Sequence, residues 1–171
     1  MNSYSQIQIR FNNVVSEQDY LQAAETGDVR AMMNLGSLYY RQGKYTDAVE
    51  ILEKAVSINP NNASAFGNLS HYYFFTRDFK KSEEAAINGL LINSTQTWIK
   101  ANLATALLLQ GKYREAERMF LALKDEACFD NSTRTCAQAW LQDFSEFEKA
   151  GVIPENQKEN VEKIRRLLRK K

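Results

Sequence analysis

A pattern of 34 residues occurs three times in the middle of this 171-residue chain, and no other feature limits its fold as strongly. The three copies begin Met32-x-x-Leu35-Gly36-x-x-Tyr39, Phe66-x-x-Leu69-Ser70-x-x-Tyr73 and Lys100-x-x-Leu103-Ala104-x-x-Leu107. A period of this length predicts a stack of similar helix pairs, because each pair leaves an apolar side that the next pair must cover.

Each copy contains two apolar stripes with helical spacing. In the first copy Leu35 and Tyr39, four residues apart, predict the buried face of a first helix, and Ala48, Leu52 and Ala55 predict the facing stripe of a second helix.

Small residues and glycines mark the close contacts and turns of these pairs. A small residue at Gly36, Ser70 and Ala104 lets a first helix approach its partner closely. Gly43 and Gly111 fall between the stripes, where a reversing chain favours a residue free to adopt a positive φ.

The pattern resembles the tetratricopeptide repeat over residues 29–128. The first copy matches almost everywhere, with Met32 and Leu52 in place of bulky aromatic residues. The later copies keep the spacing but lose the glycine of the first helix and the closing proline. The resemblance implies an all-α, right-handed superhelical solenoid of antiparallel helix pairs, with about three repeats plus capping helices.

The chain is expected to divide in register with this period. We predict an N-terminal extension (1–15), a leading cap helix (16–27), three repeats (28–61, 62–95 and 96–129) and a C-terminal helix pair that acts as a cap (130–171). Ser16-x-x-Asp19 predicts the start of the leading helix. Residues 6–11 alternate like a strand, but Ile7, Phe11 and Val14 also fit a helix face, so both interpretations remain open.

Two helices are predicted after the third repeat. The first starts at Asp130-Asn131-Ser132 and runs to about Lys149, with an apolar face that includes Trp140, Phe144 and Phe147. The second buries Val161, Ile164 and Leu168 and leaves a polar outer side, as a cap requires.

Composition favours a non-enzyme with no catalytic residues, no cofactor and no metal. His71 is the only histidine, and there is no Gly-rich phosphate loop, His-Glu-x-x-His motif or acidic calcium loop. Cys128 and Cys136 are expected to be reduced core residues, with a disulfide left open if a turn lies between them. The longest apolar run, 103–109, is too short to span a bilayer, and no secretory signal is evident, so we expect a cytoplasmic protein.

The formal net charge is +1, but cations crowd the last helix, at Lys163, Arg165, Arg166, Arg169, Lys170 and Lys171. Such a cluster is compatible with a binding site for anionic lipid, nucleic acid or an acidic partner. We favour a structural role, because cations complement a helix C-terminus, and Glu159–Lys163 and Glu162–Arg166 have the spacing of ion pairs. We therefore expect neither nucleic acid nor membrane as a partner.

By resemblance, the first helices of successive repeats line a concave groove that receives an extended peptide or a helix. The groove residues carried over by register are Arg30, Met33, Asn34, Ser37, Tyr40 and Arg41, then Ser64, Asn68, His71, Phe74 and Phe75, then Trp98, Asn102, Thr105 and Leu108. Family members that clamp the C-terminal carboxylate of chaperones use lysines and an arginine where this chain has Met33, Trp98 and Asn102. We therefore expect no carboxylate-clamp chaperone binding. Arg30 and Arg41, at the edge of the groove, leave open the recruitment of an acidic side chain.

Two features of this groove carry specific hypotheses. Asn34, Asn68 and Asn102 recur every 34 residues, and an amide can both donate to and accept from a ligand backbone. His71 either contacts a ligand, which would make affinity pH-dependent below about pH 6.5, or packs on Tyr40.

Together these patterns predict a protein–protein interaction module or adaptor that binds a peptide or helix of an unidentified partner. The alternative is an assembly subunit that forms a homo-oligomer through its terminal segments, with Ile7, Ile9 and Phe11 or the last helix at the contact.

Overall fold

The computed structural model describes residues 16–129 and 133–170, and within these ranges the chain is all-α, as predicted. It contains nine α-helices in the described residues: α1 Glu17–Glu25, α2 Val29–Arg41, α3 Tyr45–Ile58, α4 Ala63–Phe75, α5 Phe79–Ile92, α6 Thr97–Leu109, α7 Tyr113–Leu123, α8 Cys136–Lys149 and α9 Lys158–Leu168. A single 3₁₀ turn, Glu155–Gln157, precedes α9. Consecutive helices pack on each other from α1 to α7, which gives the solenoid of helix pairs that the repeat predicts.

Polar side chains fix where several helices begin. The Ser16 hydroxyl accepts the Asp19 N–H at 3.2 Å while the Asp19 carboxylate accepts the Ser16 N–H at 2.8 Å, so the predicted start of α1 is a capping box. Asp28 and Asn62 cap α2 and α4 by accepting the backbone N–H three residues on, each at 3.0 Å.

The three turns inside the helix pairs share one backbone conformation. Gly43 and Gly111 have φ of 74° and 83°, which confirms the predicted role of glycine there. The equivalent residue of the second pair is Arg77, with φ of 63°. Because a left-handed conformation costs an L-residue roughly 1–2 kcal/mol, the middle turn is strained where the other two are not.

The small residue of each first helix lies against its partner helix. A Cβ atom on Gly36 would lie 3.2 Å from Leu52, so this position has no room for a larger side chain. Ser70 at the equivalent position is buried, and its hydroxyl is satisfied by the Ser82 hydroxyl at 3.2 Å, which in turn donates to the Ser70 carbonyl at 2.8 Å.

Buried apolar side chains form two clusters, one at each end of the array. The first is built around Met32, Leu35, Leu52, Leu69 and Tyr73 of α2 to α4, with contributions from α1 and α5. The second joins α6 and α7 to α8 and α9, with one residue from α4, and its largest members are Phe74, Phe120, Trp140, Phe144 and Phe147.

The helix predicted to start at residues 130–132 begins later, at Cys136, and residues 130–132 lie outside the described residues. The reason is a better cap: the Thr135 hydroxyl accepts the Gln138 N–H while the Gln138 amide oxygen accepts the Thr135 N–H. Just before it, the Cys128 N–H donates to the Arg134 carbonyl at 3.1 Å. Cys128 and Cys136 are both free and buried.

Helix α8 lies across the first helices of the second and third pairs. The Trp140 indole donates to the Ala101 carbonyl of α6 at 3.2 Å, and the Phe147 ring packs 5.3 Å from Phe74 and 5.4 Å from Phe75 of α4. The last helix, α9, packs on α7 and α8 through the predicted stripe of Val161, Ile164 and Leu168.

The charges of α9 are paired differently from the prediction. Lys163 does contact Glu159, at 2.8 Å. Glu162 instead pairs with the buried Arg165 at 2.8 Å, because Arg165 also reaches Glu148 of α8 at 2.8 Å and so is held over the helix junction. Lys171 and the possible strand at residues 6–11 lie outside the described residues. No helix in the described ranges is long and apolar enough to cross a membrane.

Candidate functional site

A pocket of about 390 Å³ opens between α2, α4, α6 and α8, and we call it the α8 pocket. Seven predicted groove residues line it: Ser37, Tyr40, Arg41, Asn68, His71, Trp98 and Asn102. The remaining wall comes from Tyr72, Ala101, Cys128, Phe129, Ala139 and Asp143. We call the side of α2, α4 and α6 on which this pocket opens the inner face; it extends beyond the pocket lining.

Predicted residues near the N-terminal end of the inner face are accessible. Arg30, Asn34 and Ser64 are exposed, and Met33 is half-buried, where its sulfur accepts the Asn62 amide at 3.5 Å. This part of the inner face lies outside the pocket lining.

Phe74, Thr105 and Leu108 were predicted by register to line the groove surface, but all three are buried; for Phe74 this agrees with the expectation that at least one of Phe74 and Phe75 packs between helices. Their exposed fractions are 1%, 3% and 0%. Phe74 packs under Phe147 of α8, and the Thr105 hydroxyl donates to the carbonyl of Ala101, four residues earlier in α6. These positions would face a groove in a bare array, but α8 covers them.

The three repeated asparagines do not behave alike. The Asn102 amide donates to the Gly67 carbonyl of α4 at 3.0 Å and so ties α6 to α4. The side-chain amides of Asn34 and Asn68 make no hydrogen bond to any described residue, so they are available to a ligand.

The Trp98 ring can pack where it does because the neighbouring helix has a glycine, Gly67, at the contact. A Cβ atom on Gly67 would lie 2.2 Å from the Trp98 ring, so the ring packs directly on the α4 backbone. The indole N–H donates to the Gln96 side chain at 2.6 Å, which leaves a ring face and edge at the pocket wall.

Aromatic rings form the opposite wall. Tyr40 and Tyr72 stack with centroids 5.0 Å apart and planes 12° apart. The Tyr72 hydroxyl lies 3.1 Å from the Ser37 hydroxyl, and this contact joins α2 to α4. Phe75 stacks on Tyr45 at 4.5 Å beside this pair, so the wall is held from both sides.

His71 packs on Tyr40 rather than standing free as a ligand group. The ring centroids are 5.5 Å apart, and the His71 Nε2 lies 3.4 Å from the Tyr40 hydroxyl. Burial lowers the pKa of His71 to about 4, against a smaller opposing effect of Glu146. His71 is therefore neutral at pH 6.5, and its contact with Tyr40 favours the packing alternative over a pH-dependent ligand contact.

Asp143 is a pocket residue that the repeat register missed, because it lies on α8. Its side chain is half-buried, and its carboxyl group has no hydrogen bond or ion pair within the part of the chain that the structure describes. Burial and the nearby charge of Glu146 raise its pKa to about 7, while Arg134 opposes them. The sequence held one signal for this residue: Asp143 falls in the stripe between Trp140 and Phe147, where the other residues are apolar.

Two sequence profiles, both described as tetratricopeptide repeat, match residues 29–62 and 97–122. The chain is a tetratricopeptide repeat protein. A search of curated protein sequences found no match to it.

Solved structures share the fold of this tetratricopeptide repeat protein at low sequence identity. A crystal structure of MamA aligns with a TM-score of 0.61 and 16% identity over 98% of this chain and 93% of that one. The second TPR domain of human RPAP3, solved with the HSP70 peptide SGPTIEEVD, aligns with a TM-score of 0.51 and 15% identity over 91% of this chain and 100% of that one.

An O-GlcNAc transferase mutant from Thermobaculum terrenum aligns with a TM-score of 0.57 and 20% identity over 69% of this chain. The aligned part is 24% of that transferase chain. Identities this low show the shared fold alone. Among the described residues of this repeat protein, no three His, Cys, Asp or Glu side chains converge as a metal site would require.

Proposed function

We propose that this tetratricopeptide repeat protein is an interaction module that binds an extended segment of a partner protein along the inner face. The segment crosses the exposed surface of α2 and α4 and ends in the α8 pocket. The observation that carries this proposal is the pair of unengaged amides, Asn34 and Asn68, on successive first helices beside the aromatic wall.

The chemistry of this surface suits a peptide backbone. Each asparagine amide offers donors and an acceptor, and so matches the alternating N–H and C=O groups of an extended chain. Tyr40 and Trp98 supply rigid aromatic surface, and such residues contribute most of the binding energy when a partner removes water from them.

The position of α8 favours an extended peptide over a helix. The inner face of α6 and the end of α4 already contact Trp140 and Phe147, so a second helix has no uncovered length of groove to occupy there. An extended chain is narrower and needs only the strip beside α8.

The charges of the inner face argue against a ligand held by its C-terminal carboxylate. Met33, Trp98 and Asn102 replace the cations of such a clamp, and Asn102 is already bonded to Gly67. We also propose that the chain is not itself an enzyme, in keeping with its membership of a repeat family.

Selection from a displayed library of random 12-residue peptides tests the proposal. We expect wild-type protein to enrich peptides that bind in solution and that lose at least tenfold in affinity to the Asn34→Ala/Asn68→Ala variant. Asn88→Ala is the matched control, because Asn88 is an exposed amide on the second helix α5.

Two outcomes contradict the proposal. One is the absence of any enriched peptide, and the other is equal binding to the double variant and to the wild type. Light scattering on the same samples separates the alternative: a homo-oligomer unaffected by both asparagine changes, together with no enriched peptide, favours an assembly subunit.

A further inference from the structure

We propose that the α8 pocket is a specificity site for a cationic side chain, lysine or arginine, of the bound peptide, with Asp143 as its counter-ion. This inference rests on the proposed function and names the chemistry of the partner. It concerns residues from α8, which lies outside the three repeats.

The first support is an enclosed acid beside aromatic faces. The Asp143 carboxyl group reaches the pocket from α8, and Tyr40, Tyr72, Trp98 and Phe129 form the walls around it. Aromatic faces attract cations through their negative π-surface, and a carboxylate completes the site by pairing with the charge.

The second support is that the charge on Asp143 is only partly compensated within the described residues. Arg134 favours the ionised form of Asp143, but burial and the charge of Glu146 disfavour it more strongly and raise the pKa to about 7. Arg41 lines the same pocket, but it lies exposed at the end of α2. An arriving cation supplies the missing partner.

The competing occupants fit less well. An apolar side chain would bury the carboxyl group further without supplying a partner, which is unfavourable for a polar group. An acidic side chain would face both Asp143 and Glu146. Charge complementarity therefore selects the cation.

The proposal includes a pH dependence, since the cation pairs with ionised Asp143. From about pH 6 to pH 8 the ionised fraction of a group with a pKa near 7 rises roughly tenfold, and affinity rises by up to that factor. The other titratable or charged groups facing Asp143 or sharing its pocket are Glu146, Arg134, Arg41, His71, Tyr40, Tyr72, Cys128 and Cys136. Over this range His71 is neutral, and burial raises the pKa of Tyr40 well above it.

The test uses the peptides selected on the full-length wild-type protein. We expect each tight binder to contain a lysine or arginine at one fixed position. Replacing that arginine by citrulline, or that lysine by norleucine, should weaken binding at least tenfold at pH 8 by calorimetry. The Asp143→Asn variant should bind the charged and neutral peptides equally well and lose the pH dependence, while Asp125→Asn, at an exposed acid of the loop after α7, should behave as wild type.

Failure of this inference is distinguishable from failure of the proposed function. Selected peptides that bind through Asn34 and Asn68 but tolerate citrulline or norleucine without loss overturn the cation site alone. The cation site is also overturned if the Asp143→Asn variant still binds the charged peptides more tightly than the neutral ones. If no peptide is selected at all, the proposed function fails, and the cation site fails with it.

Discussion

The two ends of the inner face differ although the sequence repeats between them. Tyr40, Phe74 and Leu108 occupy equivalent positions, and they are half-buried, 1% exposed and 0% exposed in that order. Asn34 is exposed, whereas Asn102 is bonded across to α4. This difference exists because α8 packs on α4 and α6, whereas α2 faces α8 across the pocket. In a repeat protein, register therefore predicts where a side chain points but not what lies over it.

The largest expected effect comes from removing the anchor of this cover. Trp140→Ala should reduce the free energy of unfolding by about 3–5 kcal/mol, because the ring is 1% exposed and its N–H bonds to Ala101. Urea denaturation measures the change. Phe129→Ala is the control, since that ring is 45% exposed, and it should cost less than about 1 kcal/mol. Equal, small losses in both variants would mean that α8 is not fixed on the inner face.

A second prediction uses the acid that α8 brings to the pocket. The pKa of Asp143 is raised to about 7 in the folded protein from 3.8, so the folded state binds its proton more tightly than the unfolded state. Protonated Asp143 therefore makes its full contribution to the free energy of unfolding below about pH 4, and this contribution is lost as the pH rises through 7.

Accordingly, the wild type should lose on the order of 1–2 kcal/mol more stability than Asp143→Asn between about pH 5 and pH 8, a figure reduced for partial solvent access. Denaturation at both pH values measures this difference. Parallel pH profiles for the two proteins would show that Asp143 is solvated, and would weaken the distinction between the covered and bare ends.

The repeated asparagines allow a direct comparison of the two ends at one chemical group. Asn102→Ala should cost about 1 kcal/mol, because it removes the bond to the Gly67 carbonyl. Asn34→Ala should change stability by less than about 0.5 kcal/mol, since its amide is exposed. Thermal unfolding of both variants is sufficient, and a reversed order would contradict the assignment of Asn102 to structure and Asn34 to binding.

The smallest expected effect is at the end of α9. Replacing Arg169 and Lys170 by glutamine should cost a few tenths of a kcal/mol through the helix dipole, because both side chains are exposed. Arg165→Gln in the same helix should cost several times more, since it breaks contacts with Glu148 and Glu162. Tight, salt-sensitive binding of the wild type to anionic vesicles, lost in the first variant, would instead make the tail a functional surface.

The sequence predicted the fold well because each repeat carries local signals. The stripe of Leu35 and Tyr39, the turn at Gly43 and the cap at Ser16 depend on neighbours within a few residues or one helix pair, and all are found. The site was predicted only in part, since the burial of Phe74 depends on Phe147, far along the chain on a helix outside the repeat. Thr135 shows the same limit on a small scale, because its cap to Gln138 determined a helix start that composition placed earlier.

The placement of α8 also limits how such an array could lengthen during evolution. A duplicated helix pair inserted after α7 would have to displace Trp140 and Phe147 from α6 and α4, and with them the wall of the pocket. A pair inserted between α1 and α2 would meet the ordinary stacking surface of a repeat and would leave α8 where it is. Descendants of this chain with more repeats are therefore expected to have gained them at the N-terminal side, with the C-terminal end inherited as one unit.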